Sequence, residues 1–180
     1  MAKPKVASDW LAGCAGCHMS FLDIDERIVK LVELVDLRAT PITDLKEPDE
    51  EGVVVGILEG GINNTTNERV AKQMRKRSKI LVALGDCAVF GGVPAMRNFF
   101  TLEETLRRAY VETPSTDSSG KIPSSPELAV PTRVRALSEV VQVDVFIPGC
   151  PPDADIIFFA LSELAQGRIP KLENNNLMWN

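Results

Sequence analysis

Four cysteines in three distant turns constrain this chain more than any other feature of its sequence. Cys14 and Cys17 form a C-x2-C pair, Cys87 ends the segment LGDC, and Cys150 ends the segment IPGC. Each lies near glycine or proline, and the sequence contains no other cysteine. Four thiolates gathered from three loops make a site for a soft metal, and an iron–sulfur cluster suits them best.

Composition excludes several other classes of protein. The 180 residues are 44% hydrophobic and 25% charged, which predicts a single domain over residues 1–180 with a full-sized core. A net charge of −5 argues against nucleic acid as a partner. No apolar run is long enough for a membrane span, and residues 1–5 do not lead into a signal peptide. We therefore expect a cytoplasmic protein, where cysteines serve as ligands rather than disulfides.

Short β-branched runs bounded by turn residues predict buried parallel strands. The clearest runs are residues 53–58, 80–84 and 143–147, and the weaker candidates are residues 34–37 and the stretch before Trp10. Helical patterns lie between these runs. Alternating strands and helices of this length predict an α/β fold with a doubly wound parallel sheet.

Apolar periodicity predicts three helices. Residues 21, 24, 28, 31 and 35 share one helical face. Ser20 and Asp23 resemble a capping box at the start of this first helix. Further helices are expected over residues 65–77 and 153–166.

The predicted topology brings the cysteines together. Doubly wound sheets bind ligands outside the carboxyl ends of their strands. Cys87 and Cys150 directly follow predicted strands, and the Cys14–Cys17 pair falls between the first strand and the first helix. The sequence therefore predicts one shared rim. Because such loops lead into helix N-termini, we also expect lowered thiol pKa values there.

Two segments depart from the alternation of strands and helices. Residues 111–132 contain four prolines and five serines, and a surface excursion of this length is usually an interface element or mobile. The extended C-terminal tail, residues 167–180, includes the apolar sequence LMW at residues 177–179. We expect one or both segments to contact neighbouring proteins.

Other interpretations of the cysteines remain open at this point. Structural zinc sites usually close with a second C-x2-C or a histidine pair at short range, whereas Cys87 and Cys150 follow singly and far away. A thioredoxin-like redox pair would leave both of them without a role. Cys87 alone could also be a small buried apolar residue.

The cysteine motifs resemble those of a known family. The segments GCAGCHMS at residues 13–20, LGDCAVFGGVPA at residues 84–95 and IPGCPP at residues 147–152 are similar to the small subunit of nickel–iron hydrogenases. The likeness is closest to the short, cytoplasmic, NAD-reducing (bidirectional) type. It extends from Trp10 to about Arg168, nearly the whole chain.

This resemblance implies a flavodoxin-like fold that holds one [4Fe–4S] cluster beside the nickel–iron site of a separate large subunit. Cys14, Cys17, Cys87 and Cys150 fall on the family's cluster-ligand positions. It also implies electron transfer to a diaphorase module of iron–sulfur and flavin subunits. NAD and FMN are then expected in partner subunits, and the chain alone is expected to be inactive.

Two alternative functions accompany this resemblance. The small subunit of respiratory complex I, a quinone oxidoreductase, is related, but its signature has two adjacent cysteines, whereas Ala15 and Gly16 separate the pair here. A zinc-stapled binding module is an alternative of another class. Near the cysteines, we expect His18 to be interfacial or to support the cluster from a second layer. Glu59 is expected to be a hydrogen-bonded loop carboxylate near the rim.

Overall fold

A parallel sheet of five strands forms the centre of the protein. The computed structural model describes residues 3–48 and 50–173, so the apolar end predicted at residues 177–179 lies outside the described residues. In chain order the strands are β1 Lys5–Trp10, β2 Asp36–Ala39, β3 Val53–Glu59, β4 Ile62–Asn64, β5 Ser78–Leu84, β6 Pro131–Arg135 and β7 Val145–Ile147. The sheet has the order β2-β1-β3-β5-β7 and its neighbouring strands are parallel. Strands β4 and β6 form a separate antiparallel pair.

Helices cover both faces of the sheet. In chain order they are α1 Gly16–Leu22, α2 Arg27–Leu34, α3 Thr65–Arg77, α4 Asp86–Phe90, α5 Leu102–Tyr110 and α6 Ala154–Ala165, with short 3-10 helices over Val93–Phe99 and Leu137–Glu139. Helices α1, α2 and α6 contribute to the core on one face, and α3 and α4 to the core on the other. This is a flavodoxin-like doubly wound arrangement, which confirms the predicted fold class. Within the described ranges, no helix is both long and apolar enough to cross a bilayer.

The strongest sequence patterns match observed elements. The matches are residues 53–58 with β3, residues 80–84 with β5, the stretch before Trp10 with β1, residues 65–77 with α3, and residues 153–166 with α6. Two strands differ in extent from their predictions. The run at residues 34–37 overlaps β2 only at residues 36–37, because β2 begins at Asp36 and ends at Ala39. The run at residues 143–147 forms a strand only from Val145.

The helix predicted over residues 21–35 is wrong as a single element. The chain forms α1 and α2 with a break between them, where Asp25 has a positive φ of 57°. The apolar periodicity continues across the break because both helices cover the same face of the sheet, and Ile24 within the break is fully buried there. The capping box is also wrong, since the Ser20 hydroxyl donates to the carbonyl oxygen of Pro152 at 2.5 Å.

The small sheet of β4 and β6 was not predicted. Its second strand, β6, follows the long irregular segment. Residues 111–130 contain neither a helix nor a strand. At the end of this segment, the backbone N–H of Thr65 donates to the carbonyl oxygen of Val130 at 3.0 Å. The backbone N–H of Val130 in turn donates to the Thr65 hydroxyl at 3.1 Å. These two bonds attach the segment to the start of α3.

The core between the sheet and α1, α2 and α6 is not completely filled. A cavity of about 60 Å³ lies there, lined almost wholly by apolar side chains that include Val55, Ile57 and Leu161. Ser8 and His18 supply polar groups to its wall. Because protein interiors are close-packed, a cavity of this kind forfeits dispersion contacts and lowers stability.

Filling the cavity should stabilise the protein. We expect Val55→Ile to raise the free energy of unfolding by about 0.5–1 kcal/mol, because the added methylene enters the cavity. The matched control is Val53→Ile in the same strand, since Val53 is buried in the opposite core and does not line the cavity. Overpacking there should cost about 1–3 kcal/mol. Equilibrium urea unfolding measures both, and a loss of stability in Val55→Ile would contradict the prediction.

Candidate metal centre

Four parallel strands end in register at one edge of the sheet. Trp10 pairs with Glu59, Glu59 with Leu84, and Leu84 with Ile147, and each is the last residue of its strand. The loops that carry the cysteines begin directly after three of these four residues. They form the cysteine rim, which comprises residues 11–17, 85–92 and 148–152. The rim therefore occupies the edge at which parallel sheets bind ligands.

The loops of Cys87 and Cys150 are bonded to each other. The backbone N–H of Gly85 donates to Ile147 O at 2.7 Å, and that of Asp86 donates to Gly149 O at 2.9 Å. The Asp86 carboxylate is buried and accepts from the backbone N–H of Gly149 at 2.7 Å. These bonds hold the two loops together through their own backbone.

The Cys14–Cys17 loop is attached to two other parts of the rim. The backbone N–H of Leu11 donates to Glu59 O at 2.7 Å, and Ala12 and Gly61 exchange a pair of backbone hydrogen bonds. Farther along, the bond from Ser20 to Pro152 joins α1 to the loop of Cys150. The first cysteine loop is thus held between the end of β3 and the third cysteine loop.

The four thiols lie within electrostatic range of one another. Cys17 interacts with the charges of Cys87, Cys14 and Cys150, and Cys87 also interacts with those of Cys150 and Cys14. All four are free; Cys17 is buried, Cys87 is half-buried, and Cys14 and Cys150 are exposed. The fold therefore gathers the four thiols, and their role as metal ligands stays a prediction.

The rim has donor chemistry that suits a cluster of several irons. Soft thiols are the usual ligands of iron–sulfur clusters. A Cβ atom on Gly85 would overlap the Sγ of Cys17, and one on Gly16 would lie 3.1 Å from the Sγ of Cys14. Glycine at these two positions leaves the space in which the sulfurs lie.

The described residues contain no preformed site for a single metal ion. Among residues 3–48 and 50–173, no three His, Cys, Asp or Glu side chains form a group that could hold one ion. A tetrahedral zinc site requires such convergence, with Zn–S distances of about 2.3 Å. The cysteines around a cluster bind different iron atoms and need not converge on one point. The choice between a cluster and a single zinc ion at these cysteines stays a prediction.

Two thiols have raised pKa values, contrary to the expectation of lowered ones. Burial, followed by the negative charge of Glu59, raises the pKa of Cys17. Burial and the charge of Cys150 also raise the pKa of Cys87, although a hydrogen bond with the Val93 backbone opposes them. Desolvation therefore outweighs the effect of the helix N-termini. Binding of a cation would release these protons.

A buried polar network lies directly behind the rim. The His18 ring is 5% exposed, and its Nδ1 lies 2.5 Å from Oε2 of Glu59, which is 2% exposed. The His18 Nε2 lies 3.0 Å from the hydroxyl of Ser8, and the ring packs edge-on against Trp10. His18 and Glu59 were singled out from the sequence, but their pairing and Ser8 were not. The available signal was Glu59 at the end of the otherwise apolar β3, whereas Ser8 gave none because β1 also contains Lys5 and Asp9.

Large apolar side chains are exposed in the segment that follows Cys87. They form the rim patch, which consists of Phe90, Val93, Met96, Phe99 and Phe100. Phe99 alone is 85% exposed. Large exposed apolar patches mark surfaces that bind other proteins. The sequence analysis missed this patch, although its five members stand within residues 90–100.

Comparisons with known proteins cover most of the chain. The model of the family described as NADH ubiquinone oxidoreductase, 20 Kd subunit, matches residues 14–164, which contain all four cysteines. The delta subunit of NAD-reducing hydrogenase HoxS from Cupriavidus necator is 44% identical over 169 residues, which cover 92% of this chain and 80% of that protein. A subunit of the F420-non-reducing hydrogenase from Methanothermobacter thermautotrophicus is 37% identical over 97% of this chain, which spans 58% of that protein.

A solved structure has nearly the same fold over its whole length. It is described as an NAD⁺-reducing nickel–iron hydrogenase in the H2-reduced state. One of its chains superimposes with a TM-score of 0.94 at 37% identity, and the match covers 99% of this chain and 100% of that chain. The arrangement of sheet and helices is therefore shared between the two.

The space at Gly85 can be tested by adding a methyl group. We expect Gly85→Ala to destabilise the protein by about 3 kcal/mol or more, because the Cβ overlaps Cys17 and the φ of 81° and ψ of 161° are strained for alanine. Gly167→Ala is the matched control, since Gly167 also has a positive φ but nothing within 4 Å. Strain alone should cost the control about 1 kcal/mol. Equal losses in thermal unfolding would show that Cys17 does not occupy this space.

Proposed function

We propose that this chain relays electrons in an NAD-reducing nickel–iron hydrogenase. It belongs to the NADH ubiquinone oxidoreductase 20 Kd subunit family, among the small subunits of such hydrogenases. The resemblance predicted from the cysteine motifs is thereby confirmed. The relative that is 44% identical is a hydrogenase subunit, while complex I enters only through the description of the family model. The chain is a component of an oxidoreductase complex and is not catalytic alone.

The proposal depends on one observation, the gathering of four free thiols at the carboxyl edge of the sheet. We infer that Cys14, Cys17, Cys87 and Cys150 together hold one [4Fe–4S] cluster. When bound, such a cluster exchanges single electrons at a potential set by its surroundings. With every cysteine engaged as a ligand, no coordination position is left for a substrate, so transfer is favoured over catalysis.

The chain's own residues hold and shield the sulfurs. The bonds between Asp86 and Gly149 and between Ser20 and Pro152 join the loops of Cys87 and Cys150 and helix α1 to one another. Cys17 is buried against Gly85, away from water. Surroundings that are organised in advance need little rearrangement when charge arrives at a site.

We propose that the rim patch is the contact surface for the hydrogenase large subunit, which would contain the nickel–iron site. The patch begins with Phe90 in the helix that carries Cys87, and its burial would remove several large apolar side chains from water. In this proposal the same partner also covers Cys14 and Cys150, the two exposed thiols. Water would then be excluded from both sides of the cysteine rim.

Further partners are proposed from the family. A diaphorase module of iron–sulfur and flavin subunits, which would carry FMN and bind NAD, is the proposed electron acceptor. Residues 111–132 and the tail at residues 167–180 are the proposed contacts with such neighbours. The free thiols suit a reducing cytoplasm, where disulfides are disfavoured.

A complex I-type role is the second candidate, because the matching family model carries the description of that subunit. The two roles differ in the electron acceptor of the assembled complex. A hydrogenase complex purified with this chain should reduce NAD⁺ when given dihydrogen. Quinone reduction without any hydrogen-dependent activity would instead support the second candidate.

Replacement of one proposed ligand tests the cluster. The purified wild-type chain should be brown, bleach with dithionite and contain about four irons and four acid-labile sulfides. Cys87→Ser should lose the visible band, because a hydroxyl is a poor ligand for a soft site. Met19→Ser, an exposed neighbour of Cys17, is the control and should keep it. A colourless wild type with about one zinc would support the zinc-stapled module. A full cluster in Cys87→Ser would remove Cys87 from the ligand set.

Replacement of one rim-patch residue tests the interface. Phe99→Ser should weaken association with the large subunit about 30-fold, the effect expected of an aromatic hot spot. Val29→Ser on α2 is the control, because it also removes an exposed apolar side chain but lies outside the rim patch. Affinity purification of the complex, with hydrogen-dependent NAD⁺ reduction as a second readout, measures both. Undiminished recovery of the large subunit with Phe99→Ser would exclude the patch as the interface.

A further inference from the structure

The helix that carries Cys17 has no N-terminal cap of its own. Its N-cap residue is Ala15, which has a φ of 63° and no side chain able to accept a hydrogen bond. Its first turn contains no acidic residue. The first N–H groups of a helix have no partner within the helix, so they need acceptors from elsewhere.

Glu59 supplies those acceptors from a distant part of the chain. Its Oε1 accepts from the backbone N–H of Cys17 at 3.2 Å, and its Oε2 accepts from the backbone N–H of His18 at 2.9 Å. Cys17 and His18 are the second and third residues of α1. These are the positions that a Ser or Asp N-cap would normally serve. The carboxylate therefore acts as an N-cap although it lies 42 residues from Cys17 in sequence.

The position of Glu59 is itself closely determined. Glu59 is the last residue of β3, and its backbone pairs with both Trp10 and Leu84 in the neighbouring strands. Its side chain is held by the ring of His18, which is held in turn by Ser8. The carboxylate cannot turn away from α1 without breaking this buried network.

The carboxylate is also a fixed negative charge. Its two oxygens accept hydrogen bonds from the backbone N–H groups of Cys17 and His18, and Oε2 also lies against the His18 ring, an arrangement that stabilises the carboxylate form. The backbone N–H of Cys17 donates to Glu59, so its hydrogen bond is made with the carboxylate. Hydrogen bonds to the sulfurs and local charge are among the factors that set a cluster's potential.

We propose that Glu59 is a positioning residue that caps the cysteine helix from the end of β3 and lowers the reduction potential of the cluster beside it. This inference rests on the proposed function, since it presupposes the cluster. Reduction adds negative charge, and a fixed carboxylate nearby makes that addition less favourable. The residue would act through Cys17 and through its charge without contact with the irons.

Glu59→Gln separates the charge from the shape of the side chain. In the full-length chain with its cluster, the iron and sulfide content should equal that of the wild type. The ratio of reduced to oxidised cluster at a given potential should rise about tenfold, which for a one-electron couple corresponds to a shift of 59 mV to more positive values. A redox titration followed by visible absorption and electron paramagnetic resonance measures the shift. An unchanged midpoint in Glu59→Gln with full iron content would refute the electrostatic part.

Glu163→Gln is the matched control, because it removes the same charge from the last turn of α6, where Glu163 pairs with Arg168. Its midpoint should equal that of the wild type. A shift in this control as large as that in Glu59→Gln would contradict a local effect of Glu59.

The capping part has a readout that does not need the cluster. In the cluster-free chain, Glu59→Ala should accelerate amide hydrogen exchange at Cys17 and His18 at least about tenfold, because both N–H groups lose their acceptor. Exchange at α3, which is capped by Asn64, should not change. Unaltered exchange at Cys17 and His18 would refute the capping role. Absence of iron from the wild-type chain, with capping intact, would instead contradict the proposed function and the electrostatic part alone.

Discussion

The parallel register of four strand ends is the constraint from which the rest of the site follows. Because Trp10, Glu59, Leu84 and Ile147 stand side by side, whatever follows them in sequence emerges at the same edge. The cysteines begin only a few residues beyond three of these strand ends. No contact between the loops is needed to bring them near one another, since the hydrogen-bonded sheet has already done so. The bonds between the loops then determine how the sulfurs are oriented.

The central strand β3 contributes no cysteine, yet the residue at its end is hydrogen-bonded to the first cysteine loop. Glu59 at its end bonds through its backbone to Leu11 and through its side chain to Cys17 and His18. A buried carboxylate is costly unless each oxygen has partners, and here both oxygens accept hydrogen bonds. The polar network therefore specifies one position for the first cysteine loop relative to the sheet.

Local patterns in the sequence predicted the elements and the rim, and non-local contacts explain what they missed. The β-branched runs of β3 and β5 and the cysteine spacing are local signals, so the sheet and its carboxyl edge followed from them. The sequence pattern did not predict the break at Asp25, because Ile24 continues the apolar periodicity across it. The cap of α1 was sought among its neighbours, whereas its acceptor lies on β3.

Two further differences arise from the balance of competing effects. The position of the thiols at helix N-termini predicted lowered thiol pKa values, but burial dominates at Cys17 and Cys87, and burial is a property of the whole fold.

The side chains near the cysteine rim are buried and exposed in an unusual way. Glu59 and His18 are inside, whereas Phe99 and Phe100 are outside. The buried polar groups already have hydrogen-bond partners within the chain. The exterior apolar groups gain free energy only when another surface covers them. In the proposed assembly, the sheet of this chain holds the cysteine loops and a second protein completes the exclusion of water.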